Sequence, residues 1–161
     1  MILKTMLPIV TGEHQEVLHR HAARVAYPTT PEMRALIPEM IEVMRKADGV
    51  GLAAPQIGKS ISLCVIEING IVSAYFNPKI VTASEEKVIF EEGCLSLPGE
   101  FFPIERHEKI TIRYDDISGK SRKLTATGFM AIVLQHEIDH LEGTLIIDRY
   151  RKQDNKNTYA L

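Results

Sequence analysis

Residues 128–143 read GFMAIVLQHEIDHLEG, and the spacing of apolar residues in this stretch predicts a helix near the end of the chain. Gly143 is a typical residue just beyond the C-terminus of a helix. The side chains that share one stripe of this helix are Phe129, Ile132, Val133, His136 and His140. A closing helix that follows a run of strands indicates an α+β domain.

Six short segments upstream of this helix favour strands, because they are rich in β-branched residues or alternate between apolar and polar side chains. They cover residues 61–68, 71–76, 79–83, 87–90, 110–114 and 123–127. Turn residues such as Asn69 and Gly70 separate neighbouring segments. This pattern predicts antiparallel meanders.

A second helix is predicted at residues 30–47, where apolar residues recur at steps of three and four. Thr30 is a candidate N-cap for this helix. Pro38 lies inside the pattern, and an interior proline removes a hydrogen bond and clashes with the preceding turn. We therefore expect either a kink or a later helix start.

The composition fits one globular domain that spans residues 1–161, with 45% hydrophobic and 25% charged residues. The longest apolar runs are far shorter than the ~20 residues that cross a bilayer. Residues 6–10 are too short for the apolar region of a secretory signal. We therefore expect a cytoplasmic protein.

A net charge of −2 gives no basic excess for binding phosphates, which argues against a nucleic-acid substrate.

The C-terminal helix contains the pattern H-E-x-x-H at residues 136–140. Residues four apart are ~6 Å apart along the helix axis and lie on one face, so both imidazoles can reach one divalent ion. Glu137 lies beside the first histidine, where a carboxylate could take a proton from water. Packed or surface histidines with a solvated glutamate are the alternative interpretation of this short pattern.

The residues downstream provide no third ligand of the usual metalloprotease kinds. One class continues as H-E-x-x-H-x-x-G-x-x-H, but here the final position is Ile146. Another class takes a glutamate from a later helix, and no glutamate follows Glu142. The outstanding upstream candidate is Cys94, because its flanking glycine and proline residues suggest a loop that can present a thiolate. Cys64 lies in a predicted strand and is expected to be a buried apolar residue.

Three separated segments are similar to motifs of the peptide deformylases. They are residues 49–56 (GVGLAAPQ), residues 92–96 (EGCLS) and residues 135–140 (QHEIDH). The similarity runs from about Leu7 to Asp148. The resemblance implies one catalytic domain of antiparallel sheets packed around a central helix that carries both histidines, with a C-terminal tail at about 149–161.

The resemblance also implies a reaction, the hydrolysis of the formyl group from N-terminal formyl-methionine of newly synthesised polypeptides, with release of formate. The metal ligands would be Cys94, His136 and His140, with a fourth position left open. Glu137 would act as general base and then as general acid. Gln56, through its side-chain amide, and Leu95, through its backbone N–H, would stabilise the oxyanion.

The expected substrate-binding residues are Val50, Gly51, Phe90, Phe129, Ile132 and Val133. The last three precede His136 by seven, four and three residues and so share the helix face that points towards the metal. The family's methionine pocket adds Val50 and Phe90, while a glycine at position 51 permits close approach of an extended peptide. For Phe90, ordinary core packing is an equal alternative.

The expected cofactor is one divalent metal ion. A Cys/His/His set suits zinc and ferrous iron alike, and the resemblance implies ferrous iron as the native metal, with zinc, nickel or cobalt as alternatives. Three charged residues either support the ligands or are ordinary solvated charges: Glu92, Arg106 and Asp139.

The expected partners are formyl-methionyl nascent peptides, with no membrane and no nucleic-acid substrate, and we expect a monomer. The basic tail that starts at Arg149 could contact the ribosome, as in the family, although a frayed, solvated tail is the favoured interpretation.

Two other functions stay open at this point. One is an endopeptidase, which the missing downstream ligand argues against. The other is a non-catalytic metal-binding module, which would need a fourth protein ligand to close the site.

Overall fold

The computed structural model describes residues 6–158. The α-helices are α1 (Pro31–Lys46), α2 (Gly128–Leu141) and α3 (Ile146–Thr158), and short 3-10 helices cover Glu16–His19 and Ala54–Ile57. The strands are β1 (Gly51–Ala53), β2 (Leu63–Ile68), β3 (Ile71–Ala83), β4 (Lys87–Cys94), β5 (Leu97–His107), β6 (Lys109–Asp115) and β7 (Ser121–Thr127). Residues 1–5 and 159–161, which include the end of the expected tail, lie outside the described residues.

The strands form two antiparallel sheets. One sheet has the order β1-β2-β3-β6-β7, and β4 and β5 form a separate hairpin. The predicted α+β class is therefore confirmed. Within residues 6–158, no helix is both long and apolar enough to cross a membrane.

The five-stranded sheet is a layer between α1 and α2. Successive side chains of a strand point to opposite faces. Accordingly, Cys64 and Ile66 of β2 pack in the apolar cluster that includes α2, whereas Leu63 and Val65 pack in the cluster that includes α1. α2 also contacts β5 of the hairpin. The helix with the H-E-x-x-H pattern therefore lies in the middle of the fold.

The first helix begins where the sequence predicted. Thr30 caps α1 by accepting a hydrogen bond from the backbone N–H of Met33 at 3.4 Å. The helix begins at Pro31 and continues through Pro38 to Lys46, so the expected later start is wrong. Burial of Met33 and Leu36 before the proline gives these first turns the tertiary packing that offsets the lost hydrogen bond.

The strand predictions need four corrections, and the first is that β1 was not predicted. Residues 71–76 and 79–83 form one strand, β3, with a register shift near Asn77, whose φ is +52°. Residues 97–107 form β5, which the sequence analysis missed because its glycine and two prolines favour a break. Cys94, expected in a loop, is the last residue of β4 and directly precedes a two-residue turn.

The expectation of a frayed tail is wrong for residues 149–158, which continue α3. The ring of Tyr150 lies 5.1 Å from that of Phe102 on β5. Gln153 accepts a hydrogen bond from the backbone N–H of Glu105 at 3.0 Å and donates one to the carbonyl of Pro103 at 3.1 Å. These contacts with the outer edge of β5 order the helix.

Candidate metal centre

The structure brings the three expected ligands together, although Cys94 ends β4 and both histidines lie on α2, far along the chain. The Sγ atom of Cys94 lies 3.3 Å from Nε2 of His140, which lies 3.2 Å from Nε2 of His136. All three ligand atoms are within 4.8 Å of one another. Donors bound to one ion at ~2.0–2.3 Å with tetrahedral angles are about 3.3–3.6 Å apart, so the residues fit a divalent ion.

Buried polar atoms without a partner also occur beside this cluster. Within residues 6–158, the buried side-chain polar atoms without a hydrogen-bond partner are Oε2 of Glu137 and Nδ1 of His140. Buried polar groups are nearly always paired unless a functional site, water or ion explains them. The burial of His140 argues against a surface histidine, and the contacts of its Nε2 with Cys94 and His136 favour a ligand cluster over ordinary packing.

A buried ion-pair network holds His136. Its Nδ1 lies 2.9 Å from Oε2 of Glu92, and because a carboxylate only accepts, Nδ1 carries the proton and Nε2 is left for the metal. Arg106 donates to both oxygens of Glu92, at 2.6 and 2.8 Å, and to Asp139 at 2.6 Å. All three charged residues are buried. Their interpretation as ordinary solvated charges is therefore wrong.

The pKa values of two buried carboxyl groups at the site, those of Glu92 and Glu137, are shifted in opposite directions. Burial alone would raise the pKa of Glu92, but hydrogen bonds from Arg106 and His136 outweigh it and lower the pKa to about 2. Glu137 has no such guanidinium partner, and burial raises its pKa to about 7. Hydrogen bonding and burial thus shift the pKa values of these two carboxyl groups in opposite directions.

Gln56 and Leu95 flank the sulfur ligand. The Oε1 atom of Gln56 accepts a hydrogen bond from the backbone N–H of Ala53 at 3.0 Å, which fixes the side chain. Its Nε2 then reaches Sγ of Cys94 at 3.7 Å and Oγ of Ser96 at 3.2 Å. Leu95 directly follows Cys94 and lines the adjoining cavity. Sequence analysis missed the buried Ser96, which lies within a matched motif but carries no pattern of its own.

A cavity of about 580 Å³ opens beside the ligand cluster and includes His136, Glu137 and Cys94 in its lining. All six expected substrate-binding residues line it: Val50, Gly51, Phe90, Phe129, Ile132 and Val133. The rings of Phe90 and Phe129 are 5.7 Å apart, and their side chains are 40% and 43% exposed. Phe90 is therefore part of the cavity wall, and its alternative as core is wrong.

The cavity has further lining residues that the sequence analysis did not assign to it, including Leu97 and Phe101. Phe101 is 62% exposed and lies across Gly93, where an added Cβ would be 2.7 Å from the ring. This contact joins opposite strands of the hairpin. Leu97 could not be found from sequence, because β5 itself was missed.

Comparisons with known proteins agree with this geometry. The family model described as polypeptide deformylase matches residues 6–156. A peptide deformylase of Treponema pallidum is 43% identical over 132 residues, which are 80% of this chain and 82% of that protein. One of Chloroflexus aggregans is 36% identical over 168 residues, which are 94% of this chain and 89% of that protein.

Solved structures are similar throughout the fold. A crystal structure of peptide deformylase from Thermotoga maritima has a TM-score of 0.86 and 39% sequence identity, and the match covers 90% of this chain and 97% of that one. A peptide deformylase from Synechococcus elongatus in complex with actinonin has a TM-score of 0.86 and 37% identity, over 92% of this chain and 81% of that one. The ligand cluster, the cavity and these matches together show that the chain belongs to the peptide deformylase family of metal-dependent hydrolases, whose function is the deformylation of nascent peptides.

Proposed function

We propose that deformylation takes place in the cavity beside α2, where Cys94, His136 and His140 hold one divalent ion and Glu137 transfers the protons. The observation that carries this proposal is the convergence of a thiol and two imidazoles, within 4.8 Å, beside the lining of an apolar cavity. Three protein ligands and an adjoining cavity are typical of catalytic rather than structural metal sites.

A divalent ion at this position would supply Lewis-acid chemistry, polarising the formyl carbonyl and lowering the pKa of water. Glu137 would accept a proton from the attacking water and return it to the amine that leaves as formate is released. Its carboxyl is 3% exposed and lines the cavity. The protons therefore move within a site that is largely shielded from solvent.

Two donors would stabilise the negative charge that develops on the formyl oxygen. Gln56 would aim at the oxyanion the N–H that lies 3.7 Å from Sγ of Cys94, because Ala53 holds the other end of the amide. The backbone N–H of Leu95 would provide the second donor from the turn after Cys94. Donors that are fixed before the reaction stabilise the transition state at little reorganisation cost.

The substrate would bind as an extended chain between two strands. β1 is the edge strand of the large sheet, and β4 is an edge of the hairpin. Both strands contribute to the cavity lining, β1 through Gly51 and β4 through residues 90–94. Strand edges bind extended peptides through main-chain hydrogen bonds. The methionine side chain would then lie against Phe129, Ile132 and Val133.

We further propose ferrous iron as the native metal and a cytoplasmic location. The Cys/His/His set accommodates iron as well as zinc, nickel or cobalt, and the family resemblance favours iron. A reducing compartment would keep the Cys94 thiolate available as a ligand. Both cysteines are free in the structure.

We also propose a monomer, in which α3 would be the segment that contacts the ribosome. The exposed side of α3 presents Lys152 and Lys156. Two other cations of this helix are already paired, Arg149 with Asp139 and Arg151 with Glu13. Few charges are thus available for ribosomal RNA.

The deciding experiment is formate release from formyl-Met-Ala-Ser, combined with metal analysis of the same protein preparation. We expect formate in proportion to bound metal, and no cleavage of casein. Casein cleavage without formate would indicate an endopeptidase. Bound metal with neither reaction would indicate a binding module, and either result would overturn the proposal.

A further inference from the structure

The first turn of α3 is connected to the metal ligand His136 through an unbroken series of charged side chains. Arg149 donates hydrogen bonds from Nε and Nη2 to the two carboxylate oxygens of Asp139. Asp139 also accepts from Nη1 of Arg106 at 2.6 Å. Arg106 donates its other two hydrogen bonds to Glu92, which accepts from Nδ1 of His136 at 2.9 Å.

Charge balance in this series depends on Arg149. Glu92 and Asp139 are 4% and 5% exposed, and Arg106 between them is 1% exposed. One guanidinium cannot neutralise two buried carboxylates, and an uncompensated buried charge is strongly unfavourable. Arg149 supplies the second positive charge from the partly exposed end of the series.

The distribution of hydrogen bonds between the two arginines also points to Arg149. Arg106 gives two of its donors to Glu92 and one to Asp139, while Arg149 gives two to Asp139. Without Arg149, Asp139 would compete with Glu92 for the donors of Arg106. A shift of Arg106 towards Asp139 would loosen the carboxylate that orients the imidazole of His136.

We infer that Arg149 is a positioning residue for the metal site: it neutralises Asp139, keeps Arg106 paired with Glu92 through two hydrogen bonds, and so fixes the orientation of His136. This inference rests on the proposed metal ligands. It gives the last helix a role in the chemistry although Arg149 touches neither ligand nor substrate.

The test uses the full chain with cobalt(II) in the metal site, in the Arg149→Ala and Arg149→Lys variants. We measure the visible cobalt absorption and the rate of cobalt release to a chelator at a temperature at which each variant is folded. Loss of an outer partner of a metal ligand typically weakens metal binding about 10–100-fold. Because Arg149 acts on His136 through three intermediates, Asp139, Arg106 and Glu92, we expect about tenfold faster release for Arg149→Ala, a shifted absorption spectrum, and an intermediate result for Arg149→Lys.

The matched control is Gln153→Ala, one helical turn further along the same face of α3. Gln153 holds α3 to β5 through its contacts with Pro103 and Glu105 but has no part in the charged series. This variant should keep the parent's cobalt spectrum and release rate even if it unfolds at a lower temperature. An equal effect in Gln153→Ala would show that the packing of α3 against β5, and not Arg149 itself, determines the cobalt spectrum and release rate.

Two other outcomes would overturn the inference. They can be distinguished from results that would refute the proposed function. Unchanged spectrum and release in Arg149→Ala would refute the role of Arg149 while leaving the metal site intact. If that variant does not fold, an unchanged Arg149→Lys refutes the role equally, because lysine keeps the charge but loses the paired hydrogen bonds. A parent protein that binds no cobalt would instead refute the proposed ligands.

Discussion

An added Cβ at Gly51 would lie 2.8 Å from Cδ of Glu137 and closer still to its Oε1. The glutamate of α2 thus lies directly against the backbone of the edge strand β1. Real Cβ atoms essentially never approach another heavy atom this closely. Only glycine at position 51 lets the carboxyl occupy its place between the cavity and the sheet.

Gly51→Ala should therefore displace Glu137 and slow formate release about 10²-fold, since a misplacement of about 1 Å can cost that much. Metal content should remain close to that of the parent, because Gly51 contacts no metal ligand in this proposal. Formate release, metal analysis and the unfolding temperature would be measured together. A folded variant with the parent's rate would contradict the placement of Glu137.

Glu137→Gln should retain the metal and lose most of its turnover. The change keeps the shape of the side chain but removes its ability to accept a proton, and general acid–base catalysis typically contributes about 10²–10⁴-fold. The measurements are kcat for formyl-Met-Ala-Ser and metal bound per chain. Full metal content with a near-parent rate would rule out the proposed proton transfer.

Cys94→Ala should lower metal occupancy, because it removes the thiolate from the ligand set. The control is Cys64→Ala, which removes a thiol that is also buried but that packs in the apolar cluster around α2. We expect the control to keep its metal even if its stability falls. Equal metal content in the two variants would mean that the third ligand is not Cys94.

Replacing the metal should show whether the native metal is ferrous iron or one of the alternatives, zinc, nickel or cobalt. Ferrous iron is redox-active and zinc is not, so an iron enzyme should lose activity in air and keep it after nickel or cobalt replacement. The measurement is residual formate release over time in air and under argon. Identical decay of all metal forms would count against iron as the native metal.

The cavity should prefer formyl-methionine, because an apolar wall accepts a flexible thioether and penalises a charge that must lose its water. Values of kcat/KM should be similar for formyl-Met and formyl-norleucine peptides and much lower for formyl-Asp. Ile132→Asp, at a position that is 6% exposed on the cavity wall, should reduce this selectivity.

The control for this variant is Ile71→Asp, at a position that is 71% exposed and outside the cavity. It should leave the selectivity unchanged. Both variants would first be checked for folding by their unfolding temperatures. Comparable rates for all three substrates in the parent protein would eliminate the proposed methionine pocket.

The sequence by itself determined the features that depend on local spacing. Helical periodicity placed His136 and His140 on one face of α2, since residues four apart lie above one another. Thr30 marked the start of α1 because a capping side chain acts within its own turn. Cys94 emerged as a ligand candidate because the usual downstream ligands are missing and its segment resembles a known motif.

Only the tertiary structure decided which distant residues meet. Nothing in the spacing of Glu92, Arg106 and Asp139 says that one guanidinium lies between two buried carboxylates. β5 escaped prediction because its prolines disfavour strands, yet the carbonyl of Pro103 accepts a hydrogen bond from Gln153, which lies in a segment that the sequence analysis expected to be a frayed tail. The physical reason is that helix periodicity and caps depend on neighbours within one turn, whereas burial and charge pairing depend on contacts between segments far apart in the chain.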